Sequence, residues 1–214
     1  MAYSSERKQA LVGWSCTKAG FTSNMQLHKF LFFYEFFSKI DGDTYELEGL
    51  KGYKNGPVFS TVFADVRYDE KFKASCAGKF PSLACMVNER RAKLADFLVK
   101  SLGNKLSEFT HALNIWATKR AEIEGGGYQV PLDEQDFSEH DAAIFRDIEI
   151  AYPESYVESV DILNINGKAF VFFKTDADRL NETVLEALNE AAYDPEFNSP
   201  IYVLFSETGE LLLD

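Results

Sequence analysis

The most constraining feature of the sequence is a run of aromatic and aliphatic side chains at residues 30–37, FLFFYEFF. It follows a capping-box pattern, in which the Ser23 hydroxyl accepts from the backbone of Gln26 and the Gln26 side chain reaches back. The helix that starts here is apolar on nearly every face, yet it also carries Lys29 and Glu35. A membrane span needs about 20 mostly apolar residues. The run therefore predicts a buried central helix of a globular protein, ending near residue 40.

Turn residues and hydrophobic spacing divide the rest of the first 150 residues. Asn55-Gly56-Pro57 is typical of a turn, and Pro57 suits the first turn of a following helix. Residues 45–53 are expected to be extended or irregular and residues 128–132 a strand or a turn, whereas 71–80 has no clear period and predicts a loop. Besides the central helix, we expect helices over residues 5–19, 57–68, 82–102, 105–123 (one or two short helices) and 136–150.

The pattern changes after residue 150, where β-rich segments at 157–165 and 168–174 flank Asn166-Gly167. Asn-Gly between apolar runs is a strong hairpin signal, because both residues tolerate positive φ. Asp176 is placed to cap a helix, and strands are expected at 201–205 and 211–213.

The expected fold class is therefore mainly α with a C-terminal α+β part. Residues 1–150 would form a compact multi-helix domain, and residues 151–214 a small appendage of β-hairpin, helix and strand. At about 60 residues, the appendage is marginal without support from the helical part.

Charge and cysteine content exclude several classes of function. The chain has 34 acidic and 22 basic residues, for a net charge of −12, and residues 151–214 alone carry −10. Such acidity repels phosphate backbones, so we expect no direct nucleic-acid or membrane partner. Three cysteines without a C-x-x-C pair suggest reduced thiols. Together with a polar N-terminus that lacks a signal-peptide pattern, they favour a cytoplasmic location.

The common catalytic and cofactor motifs are missing from the sequence. There is no P-loop, no dinucleotide-binding glycine pattern and no H-E-x-x-H, and the three histidines fall on different predicted elements. We therefore expect no cofactor, no metal and no catalytic residue. The alternative kept open is a Cys76–His111 nucleophilic pair formed in space.

Three segments, taken together, resemble the Panacea domain, the family of SocA-like and phage-associated (GepA-like) antitoxins. They are residues 27–34 (LHKFLFFY), 50–58 (LKGYKNGPV) and 106–111 (LSEFTH), the last followed by Trp116. They occur in the family's order and cover about residues 5–150. The sequence departs from the family pattern at His28, where Gln is usual, and at Ile115, where Pro usually precedes the Trp. A Trp usually found before Lys54 is also replaced.

The resemblance implies a helical domain that neutralises a cognate toxin by direct contact, in some members by delivering the toxin to a protease. Two alternatives remain: a phage or mobile-element interaction protein with a non-toxin partner, and an enzyme with an unrecognised pocket. An exposed strand edge at residues 211–213 also leaves a homodimer open.

The residues of the three segments have ordinary structural roles beside any functional one. We expect partner contacts from polar and aromatic groups around the turn and from one tryptophan that is a candidate interface anchor; these are Tyr53, Lys54, Asn55, Phe59 and Trp116. The remaining motif residues are expected to maintain the fold, with Thr110 capping the helix of His111; they are Leu27, Phe30, Leu31, Gly56, Pro57, Val58, Thr110 and His111.

Overall fold

A computed structural model describes residues 2–21 and 23–214. Helices dominate the first 159 residues, and most strands follow them, so the expected class, mainly α with a C-terminal α+β part, is confirmed. The α-helices are α1 Glu6–Trp14, α2 Asn24–Ile40, α3 Ser60–Tyr68, α4 Phe72–Leu83, α5 Glu89–Leu102, α6 Leu106–Ala112, α7 Asn114–Ala117, α8 Arg120–Glu124, α9 Glu139–Ala151, α10 Glu154–Ser159 and α11 Glu182–Tyr193. The strands are β1 Leu50–Tyr53, β2 Gly56–Phe59, β3 Val130–Pro131, β4 Val160–Ile165, β5 Lys168–Phe173, β6 Ile201–Phe205 and β7 Leu211–Leu213.

Helix α2 is the centre of the core, as its aromatic run predicts. Its capping box is formed, with the Ser23 hydroxyl accepting from the Gln26 backbone at 3.2 Å and the Gln26 side chain accepting from the Ser23 backbone. The aromatic side chains of α2 are buried on all sides, and four of them surround Phe145 of α9 at ring distances between 5.1 and 6.3 Å. Burial of several such rings stabilises a fold by roughly 1.5–3 kcal/mol for each side chain.

The segment expected to be a loop at residues 71–80 is a helix, so that prediction was wrong. Phe72 and Cys76 are the buried positions of α4, and they lie one helical turn apart against α1. The approach is close, because a Cβ on Gly13 would come within 2.6 Å of the Cys76 carbonyl oxygen. Two buried positions in a twelve-residue helix give too weak a hydrophobic period to predict the helix from the local sequence. The helix expected over 82–102 is also interrupted, and α5 begins afresh with Asn88 as its cap.

A small sheet of order β2-β1-β3 packs beside α2, and its turn corrects the expected role of Pro57. Pro57 lies within strand β2, opposite Gly52, rather than at the start of a helix; α3 begins at Ser60. The edge position of β2 tolerates a residue without an N–H. The turn itself is Lys54–Asn55, closed by Gly56 at φ +101°.

The region between α5 and α9 holds three short helices, α6 to α8, where one or two were expected. Thr110 lies inside α6 and does not cap a helix, which corrects the role predicted for it. The helix expected over 136–150 is α9, and its cap is Ser138, in a capping box with Asp141.

The C-terminal sheet has the order β4-β5-β6-β7, with β5 and β6 parallel across the crossover helix α11. Asn166 and Gly167 form the predicted hairpin turn at φ +51° and +81°. Two local expectations were wrong. Residues 157–159 finish helix α10 instead of starting a strand, and Asn181, not Asp176, caps α11, because a 3-10 segment occupies Lys174–Arg179.

This sheet packs on the helical part through one face and on α11 through the other. Val160 and Val171 join the core of the helical part, and the Tyr152 and Tyr202 hydroxyls meet at 2.8 Å. On the opposite face, Phe170 and Leu188 belong to a second, smaller core. The helical part therefore supplies the support that a segment of this size needs. In the part of the chain that the structure describes, no helix combines the length and the apolar character required to cross a membrane.

Candidate functional site

The Lys54–Asn55 turn is exposed and held in place by neighbouring elements. Its two side chains point to solvent, and the Asn55 carbonyl accepts from the Ser107 hydroxyl of α6 at 3.2 Å. Tyr53, at the strand end before the turn, is half-buried and its ring contacts Phe63 of α3 at 5.8 Å. These three predicted contact residues, Tyr53, Lys54 and Asn55, therefore lie together at the surface.

The other two predicted contact residues, Phe59 and Trp116, lie in the core, which removes them from any partner surface. Phe59 is fully buried beneath the Lys8 ammonium, which sits 4.1 Å from its ring centre. Trp116 is 1% exposed, donates its indole N–H to the Tyr53 carbonyl at 3.1 Å and stacks on His111 at 3.8 Å. Both side chains therefore support the turn from the protein core.

His111 and Thr110 connect α6 to the central helix. The Thr110 hydroxyl accepts from the Lys29 ammonium at 2.8 Å and lies 3.1 Å from the Ser107 carbonyl, to which it can donate. His111 is half-buried, and burial, with Lys29 and Arg120 nearby, lowers its pKa, which favours the neutral imidazole. The structural role expected for His111 fits this stacked, neutral ring, whereas Thr110 acts as a buried acceptor.

Lys29 and His28 form a polar pair that the sequence reasoning did not single out. They are 1% and 3% exposed, and both line a cavity of about 240 Å³ beside the turn. Burial lowers the pKa of Lys29 to about 7. The pKa of His28 falls to about 3, first because of burial and then because of the Lys29 and Lys73 charges. The sequence did contain one sign of this pair. A lysine in a helix that is apolar on nearly every face has no solvent-exposed face to occupy, so it is expected to be buried.

A second group of residues, which we name the aromatic surface, flanks the same turn; it consists of Tyr3, Phe63, Arg67, Tyr68 and Tyr128. Three of these are tyrosines exposed by more than 70%, namely Tyr3, Tyr68 and Tyr128. They surround one groove of about 460 Å³. The sequence carries no signal for this surface, because the tyrosines come from three distant segments.

The aromatic surface is continuous with the turn through contacts between its tyrosine rings, Tyr53 and the Arg67 guanidinium. The Tyr128 ring lies 6.1 Å from that of Tyr53, in an edge-on arrangement. Arg67 lies 5.8 Å from the Tyr68 ring and 6.0 Å from the Phe63 ring. Exposed tyrosine and arginine are the residue types enriched where proteins bind each other.

The Cys76–His111 alternative is disfavoured by the surroundings of the thiol. Cys76 is 1% exposed between α4 and α1, and burial, the largest cause, raises its pKa to about 12. A nucleophilic cysteine needs an accessible thiolate. Within residues 2–21 and 23–214, no three His, Cys, Asp or Glu side chains group in a way that could hold a metal ion.

Comparison with known proteins gives no relative to guide the assignment. The chain matches no protein-family model, no curated protein and no solved structure.

Proposed function

We propose that this protein is an antitoxin-like factor, a divergent relative of the Panacea domain, that neutralises a partner toxin by direct contact. The observation that carries the proposal is the aromatic surface beside the Lys54–Asn55 turn. Three exposed tyrosines and Arg67 around one groove provide the large, rigid contact area that dominates binding energy in protein interfaces.

The charge of the chain supports a basic partner. The net charge is −12, and a second groove, which strand β3 lines, is rich in carboxylates. The acidic residues of this groove are Glu46, Glu48, Glu122, Asp133 and Glu134. Complementary charge raises the rate of association and selects the partner, while the aromatic contacts hold it.

The proposed mechanism is stoichiometric binding without turnover, in a reducing cytoplasm. Three free thiols, Cys16, Cys76 and Cys85, are compatible with that compartment. In the protease-adaptor form of the proposal, the protein would first bind the toxin through the same surface and then deliver it to a protease.

The test is co-expression with the protein encoded by the adjacent open reading frame, scored by growth and by co-purification. The double variant Tyr68→Ser/Tyr128→Ser should abolish both rescue and complex formation. Its matched control is Tyr193→Ser, which removes an equally exposed tyrosine from α11. Rescue with loss of the toxin would identify the protease-adaptor form. A neighbour that neither harms growth nor binds, or a double variant that binds normally, would refute the proposal.

A further inference from the structure

The cavity beside the Lys54–Asn55 turn is built like a ligand site. Its volume is about 240 Å³, which suits a small organic molecule rather than a drug-sized one. Apolar side chains form most of its wall, namely Met25, Pro57, Val58 and Phe63. Two polar residues of the lining, His28 and Lys29, are buried and follow each other on α2.

Lys29 is a buried lysine, 1% exposed, that lines the cavity. In the part of the chain that the structure describes, its ammonium forms one hydrogen bond, to the Thr110 hydroxyl, and no carboxylate lies within 4.0 Å of it. Two of its three N–H groups are therefore unused. Burying a charge without a partner is costly, so such a site favours an anion that completes the pair.

His28 adds unsatisfied capacity on the same wall. Among the residues that the structure describes, neither of its buried ring nitrogens has a hydrogen-bond partner, and the same is true of the Tyr53 hydroxyl. A neutral imidazole offers one N–H donor and one acceptor, and the tyrosine offers another O–H donor. Buried polar atoms are usually paired, so three atoms at one cavity without a partner in the described part of the chain indicate a ligand site.

The charged side chains that line the cavity are all positive in the part of the chain that the structure describes. Its described lining contains Lys29 and Lys54 but no aspartate or glutamate, and Lys73 reaches the rim through a 2.8 Å hydrogen bond to Asn24. A positive pocket is unusual in a chain of net charge −12. The electrostatics therefore select an anion, and the apolar walls select a hydrophobic body attached to it.

We propose that this cavity binds a small carboxylate with an apolar body, the carboxylate meeting Lys29 and His28 and the body meeting the Met25–Val58–Phe63 wall. Carboxylate binding by the cavity is independent of the toxin proposal, and only the separation of its two sources rests on that proposal. The same carboxylate chemistry could come from a free organic acid or from an acidic side chain of a bound protein, and the experiment separates these two sources.

The experiment titrates phenylacetate and its neutral isostere phenylacetamide into the full chain, followed by calorimetry and amide NMR. Phenylacetate should bind at least about tenfold more tightly than the amide, because only the acid pairs with the ammonium. Affinity should be constant near pH 6 and fall by up to about tenfold per pH unit above pH 7, as Lys29 loses its proton.

Lys29→Met should abolish phenylacetate binding while keeping the volume of the side chain. The matched control is Lys18→Met, which removes one exposed lysine outside the cavity and should leave the affinity unchanged. The pH series on the unaltered protein provides an independent check if the Met variant does not fold. Phenylacetate that binds the free chain but not the toxin complex would assign the cavity to a partner side chain, and binding to both would assign it to a free acid.

Three results would overturn the inference. The first is no binding of phenylacetate at millimolar concentration. The second is equal affinity for the acid and the amide. The third is an equal loss of affinity in Lys29→Met and Lys18→Met, which would reduce the effect to the overall charge of the surface.

Discussion

The Lys29 ammonium rests directly against the α-carbon of Gly56. A Cβ built on Gly56 would come within 2.0 Å of Lys29 Nζ and 2.8 Å of the Thr110 hydroxyl oxygen. The same glycine has φ +101°, a conformation that L side chains rarely adopt. Gly56 therefore meets two requirements at one position: it adopts the positive φ that closes the β1–β2 turn, and it leaves space for the Lys29 ammonium.

Gly56→Ala should lower the free energy of unfolding by about 2–4 kcal/mol, measured by urea denaturation. The backbone strain alone is worth about 1–3 kcal/mol, and the lysine must also move while it is enclosed. The matched control is Gly78→Ala in the exposed middle of α4, where a Cβ has no neighbour within 4 Å among the described residues. That change should raise stability by about 0.5–1 kcal/mol. Equal effects at the two glycines would contradict this account of Gly56.

The buried ammonium also predicts a specific pH dependence of stability. The pKa of Lys29 is about 7 in the folded chain against 10.5 in the unfolded one, so between pH 7 and 10.5 the unfolded state binds more protons. Stability from this group must then rise with pH across that window and be lowest below pH 7. The slope is at most about 1.4 kcal/mol per pH unit.

The measurement compares urea unfolding at pH 6.5, 8 and 9.5 in the unaltered protein and in Lys29→Met. The variant should be the more stable of the two at pH 6.5, and the difference should shrink as the pH rises. Lys54→Met, at an exposed position beside the same cavity, should leave the profile unchanged. A difference that does not vary with pH would show that Lys29 is not desolvated in the folded state.

Features of the fold that depend on residues close together in sequence could be predicted from the sequence, whereas features that depend on distant residues could not. Helix α2, its capping box and the Asn166-Gly167 hairpin depend on neighbours in sequence, and the sequence predicted each of them. Helix α4 depends on its packing against α1, and it was missed. Lys29 meets Thr110 across 81 positions, and the tyrosines of the aromatic surface come together from three segments. A single sequence carries no local sign of either arrangement.

A second buried charge, Glu35 of α2, has a fully satisfied environment and should be expensive to remove. Its carboxylate accepts from Lys8, from Arg7 at 3.1 Å and from the Glu46 backbone at 3.0 Å. Glu35→Gln would leave Lys8, which is 3% exposed, without a counter-charge. We expect a loss of about 3–5 kcal/mol by chemical denaturation.

The matched control for Glu35 is Glu134→Gln, which breaks the partly exposed pair with Lys39. Exposed ion pairs contribute about 0–1 kcal/mol, so the control should cost little. If Glu35→Gln lowers the free energy of unfolding no more than Glu134→Gln does, water reaches the Glu35 cluster and the prediction is wrong.

Asp141 provides the last prediction, because one buried carboxylate organises two helix starts. It belongs to the capping box of α9, and it also accepts from the backbone N–H groups of Asn114 and Ile115 at 2.8 and 3.1 Å. Those two groups begin α7, whose Trp116 supports the turn through the Tyr53 carbonyl. Loss of the carboxylate should therefore loosen the base of the proposed partner surface as well as the fold.

Asp141→Asn should cost about 2 kcal/mol, since charge-assisted hydrogen bonds contribute about 1.5–3 kcal/mol and an amide can accept through one oxygen only. In a chain of this size, that corresponds to a fall in Tm of about 4–8 °C. In a Trp14→Phe background, which leaves Trp116 as the single tryptophan, the emission should shift to the red as the packing of Trp116 loosens. Asp147→Asn, an exposed carboxylate on the same helix, should change stability by less than about 0.5 kcal/mol. A red shift of the same size in both variants would rule out the link from Asp141 through α7 to the turn.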